Sequence, residues 1–239
     1  SLTLTGVTSI QQSDFVFRTV TNGLSGADLL LGTEHSDSIF GLAGNDILKG
    51  FAGNDQLDGG TGRDVADYSD ATGGVTVDMA AGVVNGNASV GSDTLRTIET
   101  VRGTEFSDTY VAVGFNRTSV NNAQDIPIIS SINNTFEGGG GNDTIIGSGG
   151  NDVLTGSGGN DKFVFAANAA DGATVVDFQG NGSSAGDTLE FSGFGLASEG
   201  ATLTALSANQ YLIHSGLDGH EEIITINGAV HLSDYQFVT

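Results

Sequence analysis

The 239-residue sequence predicts an all-β fold, a solenoid of short strands in two repeat blocks that ends in a C-terminal antiparallel β cap. A nine-residue pattern of glycine, aspartate and one apolar residue recurs in frame in both blocks. The chain contains 38 Gly and 1 Pro, and this excess of Gly indicates many tight turns with positive φ. After residue 165 the nine-residue pattern gives way to longer alternating strands.

The first repeat block spans residues 23–67 and divides into five consecutive nonapeptides, from GLSGADLLL to GGTGRDVAD. Every copy begins with Gly, has Asp at position six and places an apolar residue at position eight. The aspartates are Asp28, Asp37, Asp46, Asp55 and Asp64, and the apolar residues are Leu30, Ile39, Leu48, Leu57 and Ala66.

The second block spans residues 138–164 and has the same pattern. It supplies Asp143, Asp152 and Asp161, with Ile145, Leu154 and Phe163 at position eight. A lone copy, GTEFSDTYV at residues 103–111, nearly repeats GTEHSDSIF at 32–40, so that Asp108 matches Asp37. Residues 129–137, ISSINNTFE, are similar to a decayed copy with Asn134 in the aspartate position.

A turn of six residues followed by a strand of three accounts for this pattern. The half of each nonapeptide that is rich in Gly and Asn/Asp favours a turn, and the last three residues favour a strand with one side chain inward. Two nonapeptides then complete one coil, and repeats two apart stack at about 4.8 Å. The apolar residues fill a narrow interior, which each coil buries only against its neighbours.

The same stacking aligns the aspartates, so that Asp46 lies between Asp28 and Asp64. Stacked carboxylates repel one another unless a cation lies between them. Carboxylate oxygens and the carbonyl groups of glycine-rich turns suit Ca²⁺, whereas Mg²⁺ demands a stricter octahedron and keeps its waters. The alternative is a metal-free solenoid in which the Gly-Asn-Asp turns are only structural.

The repeat resembles G-G-x-G-x-D-x-U-x, the signature of the RTX (repeats-in-toxin, haemolysin-type) calcium-binding family. This resemblance implies a right-handed parallel β-roll that binds several Ca²⁺ ions in its turns. Two departures from the family pattern are the turn of GTEHSDSIF, which has no Gly at positions two to four, and the small Ala66 in the core position. The candidate metal-binding residues are Asp28, Asp37, Gly44, Asn45, Asp46, Gly53, Asn54, Asp55, Gly62, Asp64, Asp108, Gly141, Asn142, Asp143, Gly150, Asn151, Asp152, Gly159, Asn160 and Asp161.

The regions outside the repeats are predicted to extend the roll and to close it. Residues 68–137 are predicted to be a linking β-roll segment that includes the lone repeat 103–111 and an inserted loop at 112–128. Residues 165–239 are predicted to form the antiparallel cap. Within it, a segment that resembles the one following RTX repeats makes Asp177 and Asp187 candidates for a further metal site, with ordinary turn aspartates as the alternative.

Both ends of the chain suggest a longer secreted protein. Residues 2–17 resemble residues 224–238, so residues 1–22 are expected to be the end strands of a preceding module. The family resemblance further implies an uncleaved type I secretion signal at the extreme C-terminus, with which SDYQFVT is compatible.

Composition excludes several other classes of protein. The formal net charge of −22, from 7 Lys+Arg and 29 Asp+Glu, argues against nucleic acid as a partner and for cations. The absence of Cys excludes disulfides and thiolate metal sites, and no apolar run approaches the roughly 18 residues of a membrane span. No H-E-x-x-H or G-x-S-x-G motif is present, so no catalytic residue is assigned and the domain is not expected to be an enzyme.

The sequence therefore predicts a non-catalytic calcium-binding domain of a type I secreted protein, outside or on the surface of a Gram-negative bacterium. It is expected to fold on binding Ca²⁺ after secretion and to stabilise upstream domains of the same longer protein. One alternative is a surface adhesin or polysaccharide-binding module, whose partner would be a cell-surface or extracellular polysaccharide. The other is the accessory tail of a secreted hydrolase or epimerase.

Overall fold

A computed structural model describes residues 19–112, 135–147, 150–182 and 185–239. Of the expected end strands at 1–22, residues 1–18 lie outside the described residues, as do most of the inserted loop at 112–128 and Asn134. In the described parts the chain forms two long β-sheets that face each other across one apolar interior. A single turn of 3-10 helix, Ala197–Glu199, is the only helix there.

The first sheet contains eleven strands, of which most stack in parallel. In spatial order they are β1 (Val20–Asn22), β3 (Ser38–Phe40), β5 (Gln56–Asp58), β9 (Ser92–Arg96), β8 (Val83–Asn85), β7 (Thr76–Asp78), β11 (Thr109–Val111), β13 (Thr144–Ile146), β15 (Lys162–Ala166), β17 (Thr188–Ser192) and β21 (Tyr235–Val238).

The second sheet contains ten strands and runs alongside the first. In spatial order they are β2 (Leu29–Thr33), β4 (Ile47–Phe51), β6 (Val65–Asp67), β10 (Thr100–Arg102), β12 (Thr135–Gly140), β14 (Val153–Gly158), β16 (Thr174–Val175), β20 (Glu221–Ile226), β19 (Gln210–His214) and β18 (Thr202–Ala205). Successive repeats alternate between the two sheets, so two nonapeptides make one coil.

The register between strands confirms the predicted stacking of repeats two apart. Leu30 pairs with Leu48 in the second sheet, and Ile39 pairs with Leu57 in the first, both across parallel strands. The same offset of 18 residues joins Ile145 to Phe163 in the second block. The nine-residue period thus becomes the period of half a coil, and the fold is a parallel β-roll.

The interior consists of the side chains at position eight of the repeats, as the sequence predicts. Leu30 is 7% exposed and Leu48 is fully buried. Completely buried with Leu48 are Ile39, Leu57, Ala66, Tyr110, Ile145, Leu154 and Phe163. Because neighbouring coils supply both walls of this interior, a coil cannot bury its core alone.

The linking segment keeps the roll continuous but adds an antiparallel excursion. Strands β7 and β8 pair with each other in antiparallel fashion, and β8 pairs with β9 in the same way. Strand β9 also stacks in parallel on β5 of the first repeat block, and β10 stacks on β6. The roll therefore resumes after residue 90 in the register that the first block established.

The C-terminal region combines further coils of the roll with a small antiparallel cap. Among the described residues after 165, antiparallel pairing is confined to β18–β19 and β19–β20. Strands β17 and β21 instead extend the first sheet in parallel, and β16 and β20 extend the second. The antiparallel part is thus smaller than the sequence predicts, because alternating side chains look alike in parallel and antiparallel strands.

Candidate metal centre

The aspartates at position six form rows along the turns, where each lies directly before a strand. In the first block the Oδ1 atom of Asp46 accepts the backbone N–H of Asp28 at 2.8 Å, and that of Asp64 accepts the N–H of Asp46 at 2.9 Å. On the other side of the roll, Asp55 accepts the N–H of Asp37 at 2.8 Å. One carboxylate oxygen of each aspartate therefore joins its coil to the preceding one.

The second block repeats this arrangement and extends it in both directions. Asp143 accepts the backbone N–H of Asp108 at 2.7 Å, and Asp161 accepts that of Asp143 at 2.9 Å. The row continues into the C-terminal region, where Asp187 accepts the N–H of Asp161 at 2.9 Å. The lone repeat and the second block thus share one row of carboxylates.

The second carboxylate oxygen, Oδ2, divides the aspartates into two kinds. In the first kind Oδ2 accepts an N–H from its own turn, as Thr33 donates to Asp37 at 2.5 Å and Thr104 to Asp108 at 2.6 Å. In the second kind Oδ2 is buried and has no hydrogen-bond partner. These aspartates are Asp46, Asp55, Asp64, Asp93, Asp143 and Asp161.

Glycines at two positions of the repeat allow close packing, against the carboxylates at position one and against the neighbouring backbone at position four. At position one, a Cβ atom on Gly50 would collide with the carboxylate of Asp55, lying 2.9 Å from its Cγ. At position four, Gly44, Gly53, Gly62, Gly141, Gly150 and Gly159 all have positive φ. At Gly44, Gly53, Gly62, Gly141 and Gly159 a Cβ atom would meet the backbone of the adjacent coil, so these turns stack closely with their peptide groups in contact.

The asparagines at position five connect one turn to the next. The side-chain oxygen of Asn45 accepts the N–H of Arg63 at 3.0 Å, and that of Asn142 accepts the N–H of Asn160 at 2.8 Å. Asn54 accepts the N–H of Ser92 at 2.9 Å in the same manner. In this geometry these amide oxygens hold the turns in register.

Burial of the carboxylates is electrostatically unfavourable, and their pKa values show it. Burial raises the pKa of Asp55 to about 7, with repulsion from Asp93 and Asp37 acting in the same direction. Burial likewise raises the pKa of Asp143 to about 7 and those of Asp93 and Asp161 to about 6. Asp37 differs, because hydrogen bonds from Thr19 and Thr33 outweigh its burial and lower its pKa.

In the two aspartates predicted for a further metal site, both carboxylate oxygens accept hydrogen bonds from backbone N–H groups. Asp177 accepts the N–H groups of Gly156 at 3.0 Å and Ser157 at 2.8 Å. Asp187 accepts those of Asp161 at 2.9 Å and Gln179 at 2.7 Å. This geometry gives both residues a structural role in the turns at the end of the second block.

Two members of the rows lie in the linking segment and were not predicted from the sequence. Asp93 accepts the N–H of Asp55 at 2.8 Å, and Glu99 accepts the N–H of Asp64 through Oε2 at 2.9 Å. A signal for Asp93 was present, because Gly91-Ser92-Asp93-Thr94-Leu95 keeps glycine, aspartate and leucine at repeat spacing. Glu99 offers no comparable signal.

The donor set suits a hard cation with mixed ligands. Buried carboxylate oxygens without a partner are available beside closely stacked, glycine-rich backbone, which supplies carbonyl oxygens. Among the described residues no three His, Asp or Glu side chains converge on one point, so each site must combine few carboxylates with backbone oxygens. Such all-oxygen, partly backbone coordination is typical of Ca²⁺.

The fold and these rows define a class, a nonapeptide-repeat β-roll whose turns can bind hard cations. A family model described as the RTX calcium-binding nonapeptide repeat matches residues 31–66 and 130–163 with four copies. The two matched segments therefore consist of RTX repeats, a type of repeat that is non-catalytic and binds several Ca²⁺ ions. Such repeats are typical of secreted proteins of Gram-negative bacteria, which supports a secreted protein.

Comparison with whole proteins adds little to the family match. No curated protein matches the chain. Solved structures that match include the extracellular lipase LipA from Serratia marcescens, at 19% identity and a TM-score of 0.31. That match covers 92% of this chain and 40% of the lipase. No helix in the described parts is long and apolar enough to cross a membrane.

Proposed function

We propose that this chain is a non-catalytic domain that folds when Ca²⁺ fills its turns after secretion, and that it stabilises the protein to which it belongs. The observation that carries the proposal is the set of buried Oδ2 atoms without a partner in the repeats. A buried ionised oxygen without a partner is costly, and a divalent cation between two such oxygens removes that cost.

The energetics favour coupling of binding and folding. The net charge is −22, and the strands from the repeats are only three to six residues long. Ordering each residue costs about 1–2 kcal/mol of backbone entropy, which such a small interior offsets poorly. Because the sites exist only in the folded chain, the free energy of Ca²⁺ binding becomes free energy of folding.

The proposed ligands are the carboxylates of Asp46, Asp55, Asp64, Asp143 and Asp161, together with backbone carbonyl groups of the stacked turns. Asp28, Asp37, Asp108 and Asp152 belong to the same rows by position. Position-four glycines would act by allowing close stacking, and position-five asparagines by fixing the register of the turns. The metal would supply positive charge between carboxylates that otherwise repel one another.

This coupling explains how export and folding could be ordered. Extracellular calcium modules bind Ca²⁺ with dissociation constants of about 10⁻⁴ to 10⁻³ M. Cytosolic Ca²⁺ is far too scarce to fill such sites, so the chain would stay unfolded until it reached the outside. The folded roll would then protect the preceding domains of the same protein.

A calcium titration of EDTA-treated protein tests the proposal, with far-UV circular dichroism as the readout and MgCl₂ as the control. We expect a transition from coil to β structure with CaCl₂ that MgCl₂ at the same concentrations does not produce. A spectrum already rich in β structure in EDTA would contradict it.

The described surface gives a polysaccharide partner no specific support. Sugar-binding faces often present aromatic rings, yet among the described residues the exposed Phe side chains are Phe51, at the end of β4, and Phe106, in the turn of the lone repeat. A glycan array with and without Ca²⁺ would reveal such a partner directly.

A further inference from the structure

We propose that Asp93, which lies outside the nonapeptide repeats, binds an additional Ca²⁺ together with Asp55 and so carries the row of ions into the linking segment. This inference rests on the proposed function, because it assumes that carboxylates of the rows bind Ca²⁺. It adds a site that the repeat pattern does not contain.

The backbone around Asp93 reproduces a repeat turn. Strand β9 pairs with β5 in parallel, so that Leu95 lies beside Leu57 in the interior. Gly91 has φ of 84° and lies against the carbonyl of Gly53, the position-four glycine of the adjacent coil. Residues 91–93 thus stack on residues 53–55, although 38 positions rather than 18 separate them in the sequence.

The carboxylate of Asp93 has the features of the second kind of aspartate. Its side chain is fully buried, and Oδ1 accepts the N–H of Asp55 at 2.8 Å. Its Oδ2 atom is buried without a hydrogen-bond partner. The Oδ2 atom of Asp55 in the adjacent turn is likewise buried without a hydrogen-bond partner, and Asp55 as a whole is 2% exposed. Two buried carboxylate oxygens without partners therefore belong to neighbouring coils.

A buried tyrosine offers a competing explanation for one of these two oxygens. The hydroxyl group of Tyr68 lies beside the Asp93 carboxylate but has no hydrogen-bond partner of its own. One hydroxyl proton can serve a single acceptor, so a shift of Tyr68 toward Asp93 would leave Asp55 unsatisfied. A divalent cation accounts for both carboxylates at once.

The insertion in the linking segment is consistent with this site. Residues between Asp67 and Gly91 depart from the nonapeptide period and form the antiparallel β7–β8 hairpin within the first sheet, and β9 then resumes the stacking on β5. A continuous row Asp37–Asp55–Asp93 lies along that side of the roll. An ion between Asp55 and Asp93 would stabilise the stacking at the point where the chain has been interrupted.

Equilibrium dialysis against Ca²⁺ tests the site by counting bound ions. We expect Asp93→Asn to bind one ion fewer per chain than the wild type at saturating CaCl₂. Asp78→Asn is the matched control, since it removes the same charge from the outer face of β7 in the same segment, and it should keep the full count. An unchanged count in Asp93→Asn would overturn the proposal.

Terbium luminescence provides a second readout that leaves Asp93 intact. Tb³⁺ replaces Ca²⁺ in oxygen-ligand sites and emits when a nearby tyrosine is excited. We expect Tyr68→Phe to reduce this emission in the wild type but to change it little in Asp93→Asn. If Asp93→Asn does not fold even in high CaCl₂, Asp93→Glu, which keeps the carboxylate, should restore both folding and the ion count.

These results separate the new site from the general function. A wild-type chain that binds no Ca²⁺ contradicts the proposed function as a whole. A wild-type chain that folds with Ca²⁺, beside an Asp93→Asn variant with the same ion count and the same response to Tyr68→Phe, contradicts only the additional site.

Discussion

Replacing Asp143 by Asn should have opposite effects on the folded state with and without calcium. The Oδ1 atom of Asp143 accepts the N–H of Asp108, and its Oδ2 atom has no partner. Asn can place its oxygen at the first position and its NH₂ at the second, so the hydrogen bond to Asp108 survives. Asp143→Asn therefore removes a buried charge without breaking the turn.

The expected magnitudes follow from the pKa and from mass action. Burial raises the pKa of Asp143 to about 7 from the ordinary 3.8. Each pKa unit corresponds to about 1.4 kcal/mol, so keeping the Asp143 carboxylate ionised at pH 7.4 destabilises the metal-free fold by on the order of 4 kcal/mol. Asp143 lies between Asp108 and Asp161 in its row, so the variant loses a ligand of two sites. With Ca²⁺ about 100-fold above the dissociation constant each lost site removes about 2.7 kcal/mol, and the two together remove about 5 kcal/mol, which exceeds the gain of about 4 kcal/mol.

Asp108→Asn is the matched comparison in the adjacent coil. Both of its oxygens accept backbone N–H groups, from Val75 at 2.7 Å and Thr104 at 2.6 Å. An Asn side chain must point its NH₂ at one of these donors, and the lost hydrogen bond costs about 1–3 kcal/mol. Asp108→Asn should therefore not stabilise the metal-free fold.

The assay follows circular dichroism in two titrations at pH 7.4. In EDTA, trimethylamine N-oxide is added, because excluded osmolytes favour the folded state, and Asp143→Asn should fold at a lower concentration than the wild type. In the CaCl₂ titration the same variant should need more Ca²⁺. The reasoning is refuted if Asp143→Asn shifts both midpoints in the same direction, or if Asp108→Asn behaves identically.

Three further predictions concern pH, turn packing and the core. The raised pKa values of Asp55 and Asp143 mean that the folded state binds more protons than the unfolded state between about pH 4 and 7. The stability of the metal-free fold therefore falls as pH rises through 7. Circular dichroism in EDTA should show more β structure at pH 5.5 than at pH 8, and the reverse order would contradict the burial argument. Gly50→Ala should cost about 1–3 kcal/mol and raise the Ca²⁺ midpoint, because its Cβ would lie 2.9 Å from Cγ of Asp55, whereas Gly26→Ala, with no atom within 4 Å of its Cβ, should leave the midpoint unchanged. Phe163→Ala empties a fully buried core position and should cost about 3–5 kcal/mol in urea unfolding at saturating Ca²⁺, and a cost below 1 kcal/mol would mean that the interior is not packed as described.

The sequence predicted those parts of the fold that depend on regular spacing. Leu48 and Ala66 could be placed beside each other because 18 residues separate them and two nonapeptides make a coil. Asp93 could not be placed beside Asp55 in this way, because an insertion of unknown path intervenes and sequence distance does not show where the chain returns. The parallel pairing of β21 with β17 was equally hidden, since alternation does not reveal strand direction.

The site was predictable in its chemistry but not in the state of its individual oxygens. Repeat position alone makes Asp37 and Asp55 equivalent, since both occupy position six. Only the structure shows that Thr33 donates an N–H to Asp37 whereas the second oxygen of Asp55 has no partner. The difference lies in the backbone at position two of the turn, where Phe51, four residues before Asp55, has φ of 64°, whereas Thr33 donates its N–H to Asp37.

The positions of the basic residues explain why the neutralising charge must come from outside the chain. Lys49 pairs with Asp67 at 3.5 Å, and Arg102 pairs with Glu137 at 2.8 Å, both on the outer face of the second sheet. Lys162 pairs with Glu190 at 2.8 Å on the first. In the part of the chain that the structure describes, the aspartates of the second kind, whose Oδ2 atoms are buried without a partner, form no ion pair with Lys or Arg. Protons or bound cations are then the two ways to neutralise these rows. Above about pH 7 the carboxylates of Asp55 and Asp143 are mostly ionised, so a bound cation must balance their charge there.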